Sequence, residues 1–290
     1  VKNITGLRRG GVVSKSVLAV VMAATFLMSG FFAPNNALAV DPGVSITTAT
    51  GATNVSIDKT SAPGGTGEWT VISGPIITEN TIGEIGLGIH TLTLPAGWQF
   101  NTSKNVTIGI GGATDLTLGA QVVTPSANTL SFNVTHISIS GVAVLTFDGD
   151  FEVRPTGTTA PVSVNITHSG ASISGVTDGV TNFGTVSAMH GAATQYVILD
   201  PTDGTVDASI PVTVQLQDQF GNVVTTGADK DKDVTLNADG SATGDGLVNI
   251  ANGVGTLDIS NTVAETVDLS LTDSESTTFD VTSTQDVVFA

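Results

Sequence analysis

Ile210-Pro211-Val212-Thr213-Val214-Gln215-Leu216-Gln217-Asp218 alternates: Val212, Val214 and Leu216 fall on one face, and Thr213, Gln215 and Gln217 on the other. Successive side chains of an extended strand point to opposite sides. A period of two therefore marks a strand with one face buried and the other in water. The pattern extends in both directions. Upstream it recurs at 91–94, 105–110, 129–139, 142–147 and 162–167; downstream, residues 195–199, 222–225, 234–237, 247–250, 255–259, 266–271, 277–281 and 285–289 read as further strands. Gly, Asp, Asn and Pro punctuate them, as turns require. Val, Ile and Thr are abundant, and their branching at Cβ suits a pleated surface better than a helix. Beyond the first 40 residues only 61–67 reads as a helical turn.

Short alternating strands at this spacing predict an all-β chain of tandem β-sandwiches. A boundary is expected at His190-Gly191-Ala192-Ala193-Thr194, after which the strand spacing becomes regular. This gives a first sandwich over 40–190, in which Leu94-Pro95-Ala96-Gly97-Trp98-Gln99-Phe100 resembles strand-turn segments of adhesin and cohesin-like modules, and a second over 191–290. The 290 residues include no Cys, so each core is held by apolar burial or bound ions and not by disulfides.

Gly191-Ala192-Ala193-Thr194-Gln195-Tyr196-Val197-Ile198, then 212–224 with its turn Asp218-Gln219-Phe220-Gly221-Asn222, and Gly253-Val254-Gly255-Thr256-Leu257, resemble the bacterial immunoglobulin-like repeats of invasin/intimin type (Big-1-like) found in surface-layer and adhesin proteins. The resemblance covers residues 191–290. It implies a β-sandwich that spaces a binding tip from a cell, and partners among cell-envelope components, other surface proteins or glycans.

The N-terminus carries an address. Lys2, Arg8, Arg9 and Lys15 precede an apolar stretch over 17–33, and Ala37-Leu38-Ala39 supplies a small-x-small site. A secretory signal over 1–39 is expected, cut between Ala39 and Val40, which places the product outside the cell at its surface. Later residues contain no second apolar span, so no transmembrane segment is expected in the mature chain. Removing the leader leaves 5 basic against 26 acidic residues, a formal charge of −21. Such a surface repels phosphate backbones, which argues against nucleic acid as a partner.

Catalytic constellations are missing. His90, His136, His168 and His190 are scattered without metal-ligand spacing, and neither a Gly-x-Ser-x-Gly elbow nor a thiol is present. A glycosidase carboxylate pair has no spacing in its favour, so no enzyme activity is expected. Asp229, Asp231 and Asp233 alternate like the first ligands of a calcium loop, and calcium is the one candidate cofactor. That loop pattern then fails, because Val234 and Gly240 occupy the positions that need Gly and Glu. Trp98, with Trp69, is the candidate ligand-binding residue of a carbohydrate-binding or cohesin-like module, through ring stacking on a sugar.

Overall fold

The computed structural model describes residues 43–112, 115–149, 151–160 and 162–290, so the leader and its Ala39–Val40 cleavage site lie outside the described residues. The described residues are all-β apart from one 3-10 turn, at Ile57–Lys59 and not at 61–67. That turn starts where the Ser56 hydroxyl accepts a hydrogen bond from the Asp58 N–H, satisfying a donor the short helix leaves free.

Two five-stranded sheets dominate residues 45–186. One runs β1 (Ser45–Thr47), β4 (Ile76–Thr78), β11 (Ala143–Gly149), β7 (Val106–Gly112), β9 (Val122–Val123). The other runs β14 (Gly184–Val186), β13 (Val164–Gly170), β5 (Gly88–Thr93), β10 (Thr129–His136), β8 (Thr117–Leu118). A three-stranded sheet, β3 (Thr70–Val71), β12 (Glu152–Pro155), β6 (Trp98–Phe100), and a parallel pair, β15 (Ala188–Met189) with β2 (Val55–Ser56), complete this part. Every pairing in the three larger sheets is antiparallel.

Residues 193–289 form two more antiparallel sheets: β16 (Ala193–Ile198), β17 (Ser209–Asp218), β20 (Val254–Ser260); and β19 (Gly246–Val248), β18 (Val234–Ala238), β21 (Glu265–Thr272), β22 (Gln285–Phe289). Two expected strands are absent as strands. At 222–225 only a single bridge forms, Gln217 with Val223, and at 277–281 only Gln195 with Asp280. Hydrogen bonding of the first segment is diverted into the turn described below, which leaves too few free groups for a ladder.

The alternation of β17 is realised as read: Ile210, Val212, Val214 and Leu216 are buried. Pro211 is tolerated in this central strand because β16 reaches only Val214, so no neighbour on that side needs the missing N–H. Buried apolar side chains gather in two clusters. One runs from Ala49 to Val186 and includes Phe100, Phe132, Phe147, Phe151 and Phe183; the other runs from Tyr196 to Phe289. Among the described residues, every strand pair lies wholly within 45–189 or wholly within 193–289.

Candidate functional site, a polar hub around Asp218

The period of two that buries Ile210, Val212, Val214 and Leu216 carries on to Asp218, which is fully buried. A buried carboxylate is tolerated only if its lone pairs are filled by donors. Asp218 Oδ1 accepts from the Phe220 N–H at 2.8 Å and the Asn222 N–H at 2.9 Å, while Oδ2 accepts from the Gly191 N–H at 2.7 Å and Asn222 Nδ2 at 2.9 Å. The Asp218 N–H donates to the Asn222 carbonyl at 2.9 Å. Gly221 closes the turn at φ +87°, a conformation glycine adopts without strain.

The remaining turn residues reach residues 58–64 and 158–160. Gln219 Nε2 donates to Asp58 Oδ1 at 3.1 Å. The ring of Phe220 lies against Gly64, where an added Cβ would sit 3.4 Å from it. Asn222 Nδ2 donates to the Thr158 carbonyl at 2.9 Å, and its Oδ1 accepts from the Ala160 N–H at 3.2 Å. Asp58 also takes the Ala192 N–H at 2.8 Å, so close to Gly191 that a Cβ there would fall 2.1 Å from Asp58 Oδ1. His190 is fixed in one neutral tautomer. Its Nε2 accepts from the Thr226 N–H at 3.1 Å, so Nδ1 carries the proton and donates to the Gly191 carbonyl at 2.7 Å. Residues 190–192 are thus tied by hydrogen bonds to Asp58, Asp218 and Thr226.

The candidate metal ligands do not converge. Asp231 accepts from the Asn252 N–H at 2.9 Å and pairs with Lys230, and these bonds hold its carboxyl below the usual range, the lysine contributing most. Asp233 Oδ1 accepts from the Ile250 N–H at 2.8 Å, and the Asp229 carbonyl accepts from the Lys232 N–H at 3.0 Å. One oxygen each of Asp231 and Asp233 braces 229–233 against the turn at 250–252. No group of three or more His, Asp or Glu able to hold a metal forms among the described residues. In this structure Asp231 and Asp233 serve as braces of the loop. Calcium or a chelator is expected to leave the melting temperature of the protein unchanged, as differential scanning calorimetry would record; a reproducible rise with calcium would reinstate a site.

The reading of Trp98 is corrected. It lies in the first cluster at 3% exposure, because β6 pairs with β12 and turns this ring inward, so no face is open to a sugar. Trp69 is half-buried, and one face is covered by the Arg154 guanidinium at 3.9 Å from the ring centroid. His136 is solvated at the end of β10, where the register shifts after the buried Val134. His90 and His168, far apart in sequence, are brought into contact in the interior. Among the described residues no helix is long and apolar enough to cross a membrane.

No family model matches this chain, and no curated protein sequence does. Among solved structures, it is similar to the D00-D0 domain of intimin at 12% identity, covering 85% of this chain and 99% of that one, with a TM-score of 0.29. It is similar to the Yersinia pseudotuberculosis adhesin InvE at 14% identity over 86% of this chain, TM-score 0.26, and spans 60% of that protein. A β-glycosidase from Bacteroides vulgatus is similar at 9% identity over 63% of this chain, TM-score 0.30, and this chain spans about a quarter of it, 24%. The all-β assignment itself rests on the strand pairing above.

Proposed function

We propose that this chain is a non-catalytic structural and adhesive module of a cell surface, with two β-sandwich domains, 40–190 and 191–290, held together at the joint around Asp218. The observation that supports this most is the turn at 218–222. Its residues are spent on closing the turn or on bonding to Asp58, Thr158 and Ala160 and packing on Gly64. A joint built this way keeps one sandwich from swinging freely on the other, which is what a module that projects a binding tip requires. The acidic, Cys-free composition and the leader support export, and envelope components, other surface proteins or glycans are the partners this reading assigns.

Fractionation of the source cells tests it. A chain lacking residues 1–39, recovered from the medium or removed from intact cells by protease, is the expected result. Recovery of the uncut chain in the cytosol would overturn the reading.

A further inference from the structure

Alternation places His90 inward on β5 beside Leu92, and His168 inward on β13 beside Ile166; both histidines are buried, at 0% and 1% exposure. The two strands are neighbours, with His168 opposite Leu92 and Gly170 opposite His90, so the rings meet on the diagonal. His90 Nε2 lies 2.8 Å from the Gly86 carbonyl, His90 Nδ1 lies 3.1 Å from His168 Nε2, and His168 Nδ1 lies 2.8 Å from Asp178 Oδ1. A carbonyl and a carboxylate can only accept. The chain of three hydrogen bonds therefore needs three protons on two rings: Nε2–H on His90, and both N–H groups on His168. In this arrangement the N–H at His168 Nδ1 faces the half-exposed carboxylate of Asp178.

That carboxylate belongs to the 171–183 segment, which it fastens to the sheet. Asp178 Oδ2 also accepts from the Gly170 N–H at 3.2 Å, and the Gly179 N–H donates to the His168 carbonyl at 2.9 Å. We propose that His90, His168 and Asp178 form a latch set by a single proton, and that acid, by adding a second proton to the pair, releases the 171–183 segment from β5 and β13.

A second proton on His90 would sit on Nδ1, pointing at the N–H of His168, with no acceptor between them. The other neighbours offer no relief. Phe132 stacks on His90 from β10 at 5.0 Å, and Phe183 covers His168 at 5.7 Å. Of the carboxylates of the preceding segment, Glu79 accepts from the Ile85 and Ala143 N–H groups and Ser138, and Glu84 Oε2 from the Asn80 and Thr81 N–H groups, while Glu84 Oε1 is buried without a partner. The charges acting on His90 are those of His168 and Asp178. Burial, the largest influence, lowers its proton affinity below the ordinary histidine value of 6.5. The contribution of His90, which resists protonation in the folded state, is at full strength above that value and is lost as pH falls below it.

Two measurements on the intact protein decide the matter. Nitrogen-15 NMR of the histidine rings at neutral pH should find two protons on His168 and only Nε2–H on His90; one proton on each ring would overturn the proposal. Amide exchange, read as opening free energy, should show Gly170, Ala171 and Gly179 losing protection on acidification below about pH 6.5, with Leu216 as an unaffected internal reference. His90→Gln should abolish that loss. Constant protection of the three amides down to about pH 4, or the same loss in His90→Gln, would overturn it.

Discussion

Asp218→Ala is expected to destabilise the protein by about 3 kcal/mol or more, because the N–H groups of Gly191, Phe220 and Asn222 lose their acceptor together and a buried unpaired donor costs about 1–3 kcal/mol. Asp218→Asn is the sharper variant. It keeps the shape but puts an NH2 group where an acceptor stood. On Oδ2 that amide would face the Gly191 N–H and Asn222 Nδ2, both donors; on Oδ1 it would face the Phe220 and Asn222 N–H groups, donors again. The isosteric change should therefore cost about 2 kcal/mol, within the range for an unpaired buried group. Urea unfolding reads both as a lower midpoint at constant slope. A midpoint for Asp218→Asn equal to that of the parent would mean that the carboxylate is not the hub. Asn222→Ala serves as the companion test, since it removes the side-chain bonds to Thr158 and Ala160 while the Asn222 N–H bond to Asp218 can persist.

Much of this was open to a reader of the sequence, and the rule that reveals it is the period of two. Extending Ile210, Val212, Val214 and Leu216 by one step lands on Asp218. The same step from Leu92 lands on His90, and from Ile166 on His168. A polar residue at an inward position must find partners or lose its charge, so each of these three was a marked position. What the period cannot supply is the partner. That His90 meets His168 depends on β5 and β13 being neighbours in the sheet, a pairing between residues 78 apart in sequence. Long-range pairing leaves no local trace in one sequence.

The shortfalls have the same origin. Asp229, Asp231 and Asp233 alternate as calcium ligands would, yet the turn at 250–252 presents N–H groups to Asp231 Oδ1 and Asp233 Oδ1. The strand expected at 222–225 fails because Asn222 is drawn into the hub and Val224 turns inward beside Leu216, whose carbonyl accepts its N–H at 2.9 Å. Very short strands such as β8 and β9, two residues each, carry no readable period and exist only because a longer neighbour organises them.

Trp98→Ala separates a core tryptophan from a binding platform. A platform residue can be removed at little cost in stability, with loss of glycan binding. A buried one leaves a cavity, and the expected cost is about 3–5 kcal/mol, read as a fall in the urea midpoint. Trp98→Phe should cost much less, about 1.5 kcal/mol or below, for a specific reason: Trp98 Nε1 is buried without a hydrogen-bond partner, so losing that N–H recovers part of what the smaller ring gives up in contacts. Phenylalanine also keeps an apolar ring at the position opposite Pro155, within the cluster that includes Phe100, Phe151 and Val153. The order parent, Phe, Ala in stability, with any glycan binding unchanged between parent and Phe, is the signature of a core position. If Trp98→Ala unfolded at the same urea concentration as the parent, the inward orientation of β6 would be wrong, and with it the packing of β6 on β12 into the first buried cluster.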